Sequence, residues 1–465
     1  MKKLTHKVLT KFLAVLFVAA LLFNSEQVEA ESKSRLSDKP IPMKTDKEMP
    51  KRVPPLVEIG NDFLGTGNIS SGFELPTGAV WIPSLWVYGN VRTGLNYIDT
   101  GGNSDEIVEA VVRSDINFHL NLTGTERLFL QLQPFHSQET FTRYRFEPEN
   151  GEFSSHINLD VNALFFEGDI GEMFPKADPL DSAALDFGIA IGRQPIFFQE
   201  GMMFNDTMDA IGLVRDTLIF EGLIDTKLSF VWGWNNVNRA NNQQDANAEL
   251  YGFFTESDLR KSSLRFDVAY VDSDTESGGD GLFLGFGSVQ RIRGYNTAFY
   301  ANYSHAIDDE SAAVRDGLLL FSEISTTPIN SHDLLYFNSF IGIDDYSSGS
   351  RGRTNGGPVG RTGIMYAGSG MGSFGAALGS NANKAVGVAL GYQKFMNSDR
   401  TQVIFELAGI KSSADTATVQ DGVALGVQYQ QKIGERYRAL VTGFVSNREI
   451  NDEGGGVRFE FLTQF

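Results

Sequence analysis

Alternation of apolar and polar side chains is the feature that most limits how this chain can fold. From about Leu85 onward, segments of about eight to thirteen residues alternate in this way and are separated by clusters of Gly, Asn, Asp and Ser. Because successive side chains of an extended strand point to opposite faces, this period predicts β-strands with one apolar and one polar face. The clearest example has Val112, Ser114, Ile116, Phe118, Leu120 and Leu122 on one face and Arg113, Asp115, Asn117, His119 and Asn121 on the other.

The number and spacing of these segments favour a membrane barrel. After Phe23 no run of 18 or more apolar residues occurs, so the rest of the chain is either soluble or crosses a membrane only as strands. A soluble β-sandwich also alternates, but its connections are usually short at both ends. We count about 16 to 19 candidate strands, and bacterial barrels favour even numbers. The sequence therefore predicts an all-β, transmembrane, antiparallel up-and-down β-barrel of 16–18 strands over residues 81–465, with short periplasmic turns and longer extracellular loops.

The N-terminus predicts export. Lys2, Lys3, Lys7 and Lys11 precede an apolar run from Phe12 to Phe23, which is too short to span a bilayer as a helix. Val28 and Ala30 supply small residues at the positions that a signal peptidase reads. We expect residues 1–30 to be a cleaved signal peptide. Residues 31–80, whose first part is rich in Pro and Lys, are expected to form a periplasmic leader.

Charge and cysteine content exclude several classes of function. The chain has no Cys, so a thiolate metal site, a disulfide framework and a lipid-modified cysteine are excluded. Removal of residues 1–30 would take four Lys and two acidic residues from the 39 basic and 58 acidic residues of the chain, which leaves a net charge of about −21. Nucleic-acid binding is therefore disfavoured. The 49 Gly and 36 Phe suit a barrel with an apolar band around a polar lumen.

The last segment carries a strong indication of outer-membrane assembly. Phe459, Phe461 and Phe465 share one face, and the chain ends on Phe465. This pattern resembles the C-terminal strand of bacterial outer-membrane barrels, whose terminal aromatic residue is read by the barrel assembly machinery. We expect the cell outer membrane of a Gram-negative bacterium as the location. Outer-membrane lipid and lipopolysaccharide, the assembly machinery and a hydrophilic solute are the expected partners.

One segment resembles a family of outer-membrane barrels. A strand ending in Gly192-Arg193-Gln194 is followed by an irregular segment with Gly201 and by a return strand over residues 209–215. This arrangement is similar to the alginate-export family and related substrate-selective porins. The resemblance implies a monomeric barrel of about 18 strands with an arginine-rich constriction for an anionic polymer. The negative charge of this chain departs from that pattern.

Six charged residues are the candidates for lining and tuning a pore. Arg92, Arg113, Asp115 and Arg127 lie at lumen-facing positions of predicted strands, Arg193 lies in the motif described above, and Arg265 is a further candidate. Rings of lumen charge select ions in channels generally. Alternatively, these arginines pair with lumen acids and brace the wall, since Asp115 lies two residues from Arg113 on the same face. Residues 345–384, which are rich in Gly and alternate weakly, either form a hairpin or fold into the pore, and we slightly prefer the second interpretation.

The sequence gives little support for other chemistry. Asp272, Asp274 and Asp280 are a weak candidate for Ca²⁺ binding, because Ser277 occupies the position where an EF-hand requires Gly. No cofactor is expected. The five His residues of the exported chain lie outside known hydrolase motifs, so an enzyme is not predicted. The predicted function is an outer-membrane pore for passive passage of small or polymeric hydrophilic solutes. The alternatives are a structural or adhesive barrel with a plugged lumen and a barrel hydrolase.

Overall fold

The computed structural model describes most of the chain beyond its N-terminus. The described residues are 53–63, 70–102, 106–137, 140–146, 151–177, 179, 185–414 and 419–465. The predicted signal peptide, residues 1–30, and the first part of the predicted leader, residues 31–52, lie outside the described residues. Among the described residues, no helix combines the length and the apolar character needed to cross a membrane.

The described residues form a closed antiparallel barrel of 18 strands, which confirms the predicted fold class. Every strand of the barrel pairs with its sequence neighbours, and the last strand pairs with the first. The strands are β1 Ser84–Asp99, β2 Ile107–Asn121, β3 Arg127–Leu132 with Thr140–Arg145, β4 Glu152–Ser154 with Val161–Asp169, β5 Gly188–Phe198, β6 Phe204–Arg215, β7 Asp225–Trp234, β8 Glu249–Asp258, β9 Ser262–Asp272, β10 Gly281–Ile292, β11 Tyr295–Ala306, β12 Gly317–Thr326, β13 Leu334–Asp344, β14 Ala385–Met396, β15 Thr401–Ser412, β16 Gly422–Ile433, β17 Tyr437–Arg448 and β18 Asp452–Gln464.

The seam of the barrel is closed down to the last residue. Strand β18 pairs with β1 as far as Gln464 opposite Asn90. The backbone of Phe465 then exchanges two hydrogen bonds with Gly89, of 2.8 and 3.0 Å. Beyond this point the short strand Val57–Ile59 pairs with the exposed edge of β1. The N-terminal segment thereby covers a strand edge that would otherwise be open to unwanted pairing.

The two rims of the barrel differ. We call the rim that carries Ser84 and Phe465 the terminal rim, and the opposite rim, which carries Asp99 and Asp452, the loop rim. Most connections at the terminal rim are short, although residues 170–187 form a longer one that includes the short helix Ile170–Met173. The loop rim carries the longest connection of the barrel, residues 345–384.

The outer face of the wall is apolar, as the alternation predicts. Phe266, Leu390 and Phe459 are exposed by 53%, 48% and 44% on this face. Their neighbours along each strand point inward, for example Arg265 and Asp267 on either side of Phe266. An apolar band of this kind suits hydrocarbon, while a polar inner face stays hydrated.

Strands β3 and β4 are interrupted at the same height. Between their two halves, residues 133–137 and 155–160 leave the regular ladder, and the two irregular segments bond to each other. The Asn158 backbone amide donates to Pro134 O at 3.0 Å, and the Gln133 backbone amide donates to Asp160 O at 3.4 Å. The wall is therefore continuous in hydrogen bonds here but locally irregular.

If the apolar face contacts lipid, introducing an arginine there should destabilise the protein more than introducing one on the inner face. Leu390→Arg places a cation near the middle of the apolar band, whereas Asn117→Arg places one on the polar inner face. We expect Leu390→Arg to lower the free energy of unfolding by ~2–4 kcal/mol and Asn117→Arg to change it much less. Denaturant titration of the protein in lipid vesicles measures both. Equal losses in the two variants would contradict the assignment.

Candidate functional site: the constricted lumen

The turn between β5 and β6 enters the lumen and contacts the inner face of β9 and β10. Gln199 and Glu200 adopt positive φ angles of 51° and 53°, which turns the chain tightly at the tip. Gln199 donates to the Asp267 carboxylate on β9 at 2.7 Å. A Cβ atom on Gly285 would lie 2.7 Å from the Gln199 side chain, so glycine at this position allows the close approach. We call residues 199–203 the inward turn.

Residues 345–384, which we call the inward loop, follow the inner wall and confirm the preferred interpretation of this stretch. The Glu406 carboxylate on β15 accepts the backbone amides of Ile364 and Met365, each at 2.9 Å. Farther along the wall, four strands from β15, the Asn96 side chain of β1 donates to Met371 O at 3.3 Å. The inward loop therefore extends along the wall from strands β12 and β13, through β15, to β1 and β2.

Arg351 joins the inward turn to the inward loop. Its buried guanidinium donates to Gly201 O in the turn and to Ser348 Oγ and Gly356 O in the loop, the last two at 3.2 Å. Burial lowers the pKa of Arg351 to about 10, so the group stays protonated at neutral pH. In addition, Ser350–Arg351 pairs in parallel with Phe204–Asn205. The two inward segments thus form one connected constriction.

A second network of ions holds the same constriction. Glu200 of the inward turn bonds to Arg265 at 2.6 Å and to Arg361 of the inward loop at 2.7 Å. Arg361 also bonds to Glu323 on β12 at 2.9 Å. Several charges in one network restrain each other better than an isolated surface pair does.

The opening that remains lies beside strands β1 to β6. It is a cavity of about 480 Å³ whose lining is almost entirely polar. Amides dominate this lining, together with three basic and three acidic side chains. The amides are Asn90, Asn117, Gln131, Gln133, Asn162, Asn236, Asn238, Gln244 and Asn355, and the charged residues are Arg113, Arg193, Arg353, Asp115, Asp160 and Asp206.

Three of the six residues chosen from the sequence line this opening, namely Arg113, Asp115 and Arg193. Arg113 lies 3.6 Å from Asp115 and donates to Gly370 O of the inward loop at 3.2 Å. Arg193 lies 3.0 Å from Asp209.

The other three candidates lie elsewhere on the inner face. Arg92 bonds to Glu460 at 2.7 Å, Arg127 bonds to Glu167 near the terminal rim, and Arg265 holds the inward turn. All five candidate arginines therefore have a carboxylate partner.

Arg193 reaches the opening through an irregularity in the wall. The preceding Gly192 has a φ of 123°, and the pairing of β4 with β3 shifts between Val161 and Ala163. The Arg193 guanidinium donates to Val161 O at 3.3 Å. A left-handed glycine next to a shifted register redirects side chains relative to regular alternation.

The structure adds Arg353 to the candidates. It lines the opening from the inward loop, and among the described residues no carboxylate lies within ion-pairing distance of it. Its sequence context, Gly352-Arg353 followed two residues later by Asn355-Gly356-Gly357, is the only indication that sequence reasoning had. That indication identifies an irregular segment but not its position in the lumen.

The weak metal candidate has no support among the described residues, where no group of three or more His, Asp or Glu is arranged to hold an ion. The Asp274 carboxylate accepts from Asn247 at 2.9 Å, and the Asp280 carboxylate accepts the Ser273 amide at 3.0 Å. These carboxylates organise the loops at this rim.

The comparisons with known proteins identify the fold. No protein-family model matches the chain, and no curated protein matches it. Among solved structures, a BenF-like porin from Pseudomonas fluorescens matches with a TM-score of 0.55 and 10% identity, covering 82% of this chain and 98% of that one. Pseudomonas aeruginosa OccK5 (OpdH) matches with a TM-score of 0.52 and 8% identity, covering 82% and 98%. P. aeruginosa OccK2 (OpdF) matches with a TM-score of 0.51 and 10% identity, covering 82% and 97%.

These likenesses assign the class of fold: an 18-strand barrel of the outer-membrane porin type. They extend over nearly the whole length of each matched structure. At 8–10% identity they concern the fold alone.

The contacts of Glu406 predict that the inward loop can be loosened selectively. In Glu406→Gln, one acceptor oxygen and the charge are lost, and hydrogen bonds to a charged group contribute about 1.5–3 kcal/mol. We expect larger and noisier single-channel currents, measured in planar bilayers. Glu435→Gln, in an exposed turn at the terminal rim, is the matched control. Identical current traces for both variants would show that Glu406 does not hold the loop.

Proposed function

We propose that this protein is a diffusion channel for small hydrophilic solutes in the outer membrane of a Gram-negative bacterium. The observation that carries the proposal is the polar opening left between the inward loop, the connection that follows β7 and strands β1 to β6. The wall around it is closed and apolar outside. A polar passage through a closed barrel gives water and solutes a route that hydrocarbon does not offer.

The constriction favours small solutes over the anionic polymer that the alginate-export resemblance implies. An arginine-rich constriction attracts a polyanion when its charges are uncompensated. Here Arg92, Arg193 and Arg265 each bond to a carboxylate, which reduces the field they present to a solute. The formal charges lining the opening also balance. A pore with mild or no ion preference is therefore the form of the proposal that the geometry supports best.

Export and assembly belong to the same proposal. We infer that residues 1–30 direct export and are removed, and that the assembly machinery reads the strand that ends in Phe465. Lipopolysaccharide would surround the loop rim. The position of Phe465 at the seam, where its backbone bonds to Gly89, supports a role for this residue in closing the barrel.

The plugged barrel is the second candidate function, and one observation favours it. The inward turn and inward loop fill part of the lumen, with buried contacts such as that between Tyr366 and Gly409. The hydrolase alternative has less support. Ser154 Oγ lies 2.9 Å from His156 Nε2, but among the described residues no carboxylate bonds to His156, and nucleophilic catalysis needs an oriented base.

Planar-bilayer recording tests the proposal against the plugged barrel. Purified full-length protein should give discrete conductance steps, and a salt gradient should give a reversal potential near zero. Absence of steps would support the plugged barrel. A reversal potential close to the anion limit would instead support the anionic-polymer version.

The unpaired Arg353 predicts how ion preference can be changed. One unit charge at about 4 Å contributes roughly 1 kcal/mol in water, and salt screens part of it. Arg353→Ala should therefore lower the ratio of anion to cation permeability, by up to about fivefold in dilute salt and less in concentrated salt. Arg260→Ala, in an exposed turn at the terminal rim, should leave the ratio unchanged. Equal reversal potentials in the two variants would remove Arg353 from the selectivity residues.

A further inference from the structure

A row of aromatic side chains lies on the inner wall, directly below the opening on the side of the terminal rim. Trp86, His119, Phe129 and Phe165 are cross-strand neighbours on β1, β2, β3 and β4. Their ring centroids are separated by 5.6, 6.1 and 5.4 Å in that order. All four are half-buried, so part of each ring stays accessible from the lumen. We call these four residues the aromatic row.

The described part of the leader extends the aromatic row. Phe63 packs against Trp86 with centroids 5.0 Å apart, and Trp86 Nε1 donates to Asn61 O at 2.9 Å. Tyr88 lies beside His119 at 6.5 Å. The rings form a continuous surface from the N-terminal segment to β4, about one quarter of the way around the barrel.

A row of amides lies one step nearer to the loop rim. Gln131 donates to Asn117 at 2.9 Å, and Asn162 donates to Gln131 at 2.6 Å. Asn117 and Gln131 are each two residues from a member of the aromatic row, which is roughly 6.6 Å along a strand. The amide row also lines the opening. A solute that passes through the opening towards the terminal rim therefore meets amides first and aromatic rings next.

The ionised groups on either side of the two rows are paired. Towards the terminal rim, Arg127 bonds to Glu167. Towards the loop rim, Arg113 lies 3.6 Å from Asp115. Because these charges are already paired, a charged solute bound to the rings would lose hydration without forming an ion pair in return.

From this juxtaposition we infer that the aromatic row and the amide row form a binding subsite for neutral carbohydrate, in the form of a linear oligosaccharide. The inference rests on the proposed channel function. A pyranose ring presents apolar C–H faces and a rim of hydroxyl groups. Aromatic faces pack well against the C–H faces of the sugar. Side-chain amides, which both donate and accept hydrogen bonds, suit its hydroxyl groups. Rings spaced 5.4–6.1 Å apart around the wall let neighbouring sugar units of one chain contact the row at the same time.

The test is blockade of ion current by neutral glucose oligomers in planar bilayers, using the full-length protein. Oligomers should block the wild-type current at a concentration that falls as the chain lengthens. Phe129→Ala should raise the half-blocking concentration by about tenfold, and Phe129→Tyr, which keeps the ring, should restore it to near the wild-type value. Phe266→Ala removes a ring from the outer face and should have no effect on blockade.

Each result decides between the two proposals. Absence of ion current in the wild type would overturn the channel and the subsite together. Normal current without blockade by oligomers would overturn the subsite and leave the channel intact. If benzoate blocks through the same rings and the oligomers do not, the subsite takes aromatic acids and the inference is wrong. If Phe129→Ala fails to assemble, Phe165→Ala at the end of the row replaces it. Tryptophan fluorescence provides an independent measurement: oligomer binding should change the emission of Trp86, and this change should be absent in Trp86→Phe.

Discussion

The need to satisfy every backbone hydrogen bond within hydrocarbon governs the whole structure. Because the lipid interior offers no partner to an exposed strand edge, a β-protein can cross it only as a closed cylinder. Closure is completed by the last residue, through the bonds between Phe465 and Gly89, and the remaining edge of β1 is covered by Val57–Ile59. Once 18 strands close, the lumen becomes wider than wall side chains can fill. The inward turn and inward loop then determine what can pass.

Those two inward segments are held mainly by bonds to backbone groups and by buried ions. Glu406 accepts two amides of the inward loop, and Arg351 donates to carbonyl oxygens of both segments. Removing one partner would leave a buried charge or amide unpaired, which costs more than the bond itself contributes. The shape of the opening is therefore a fixed property of the fold. Arg353, which also lines the opening, has no carboxylate partner of this kind among the described residues.

Sequence reasoning predicted the features that depend on local periodicity. Alternation placed Arg113 and Phe118 on opposite faces, and the C-terminal pattern identified the strand that closes the barrel. Alternation along a strand shows which face a side chain occupies, but it does not show which residue, remote in sequence, that side chain will contact. The ion pair between Arg265 and Glu200 could therefore not be predicted. The inward turn was also unpredictable, because its path depends on Gly285 and Asp267, which are remote in sequence. The surroundings of Arg193 were also unpredictable, because they depend on the positive φ of Gly192 and on the register shift between β3 and β4.

The irregular part of the wall and the opening coincide, and this gives the two a common explanation. Bulges and interruptions redirect side chains and concentrate near functional sites. The interruptions of β3 and β4 bring Asp160 and Gln133 to the opening, where Gln133 donates to Asp115 at 3.1 Å. Below them the same two strands return to regular pairing and carry Phe129 and Phe165. Regular pairing keeps those two rings in contact, with centroids 5.4 Å apart. The interruption above them makes room for polar side chains. One pair of strands thus contributes both to the amide-lined opening and to the aromatic surface beneath it.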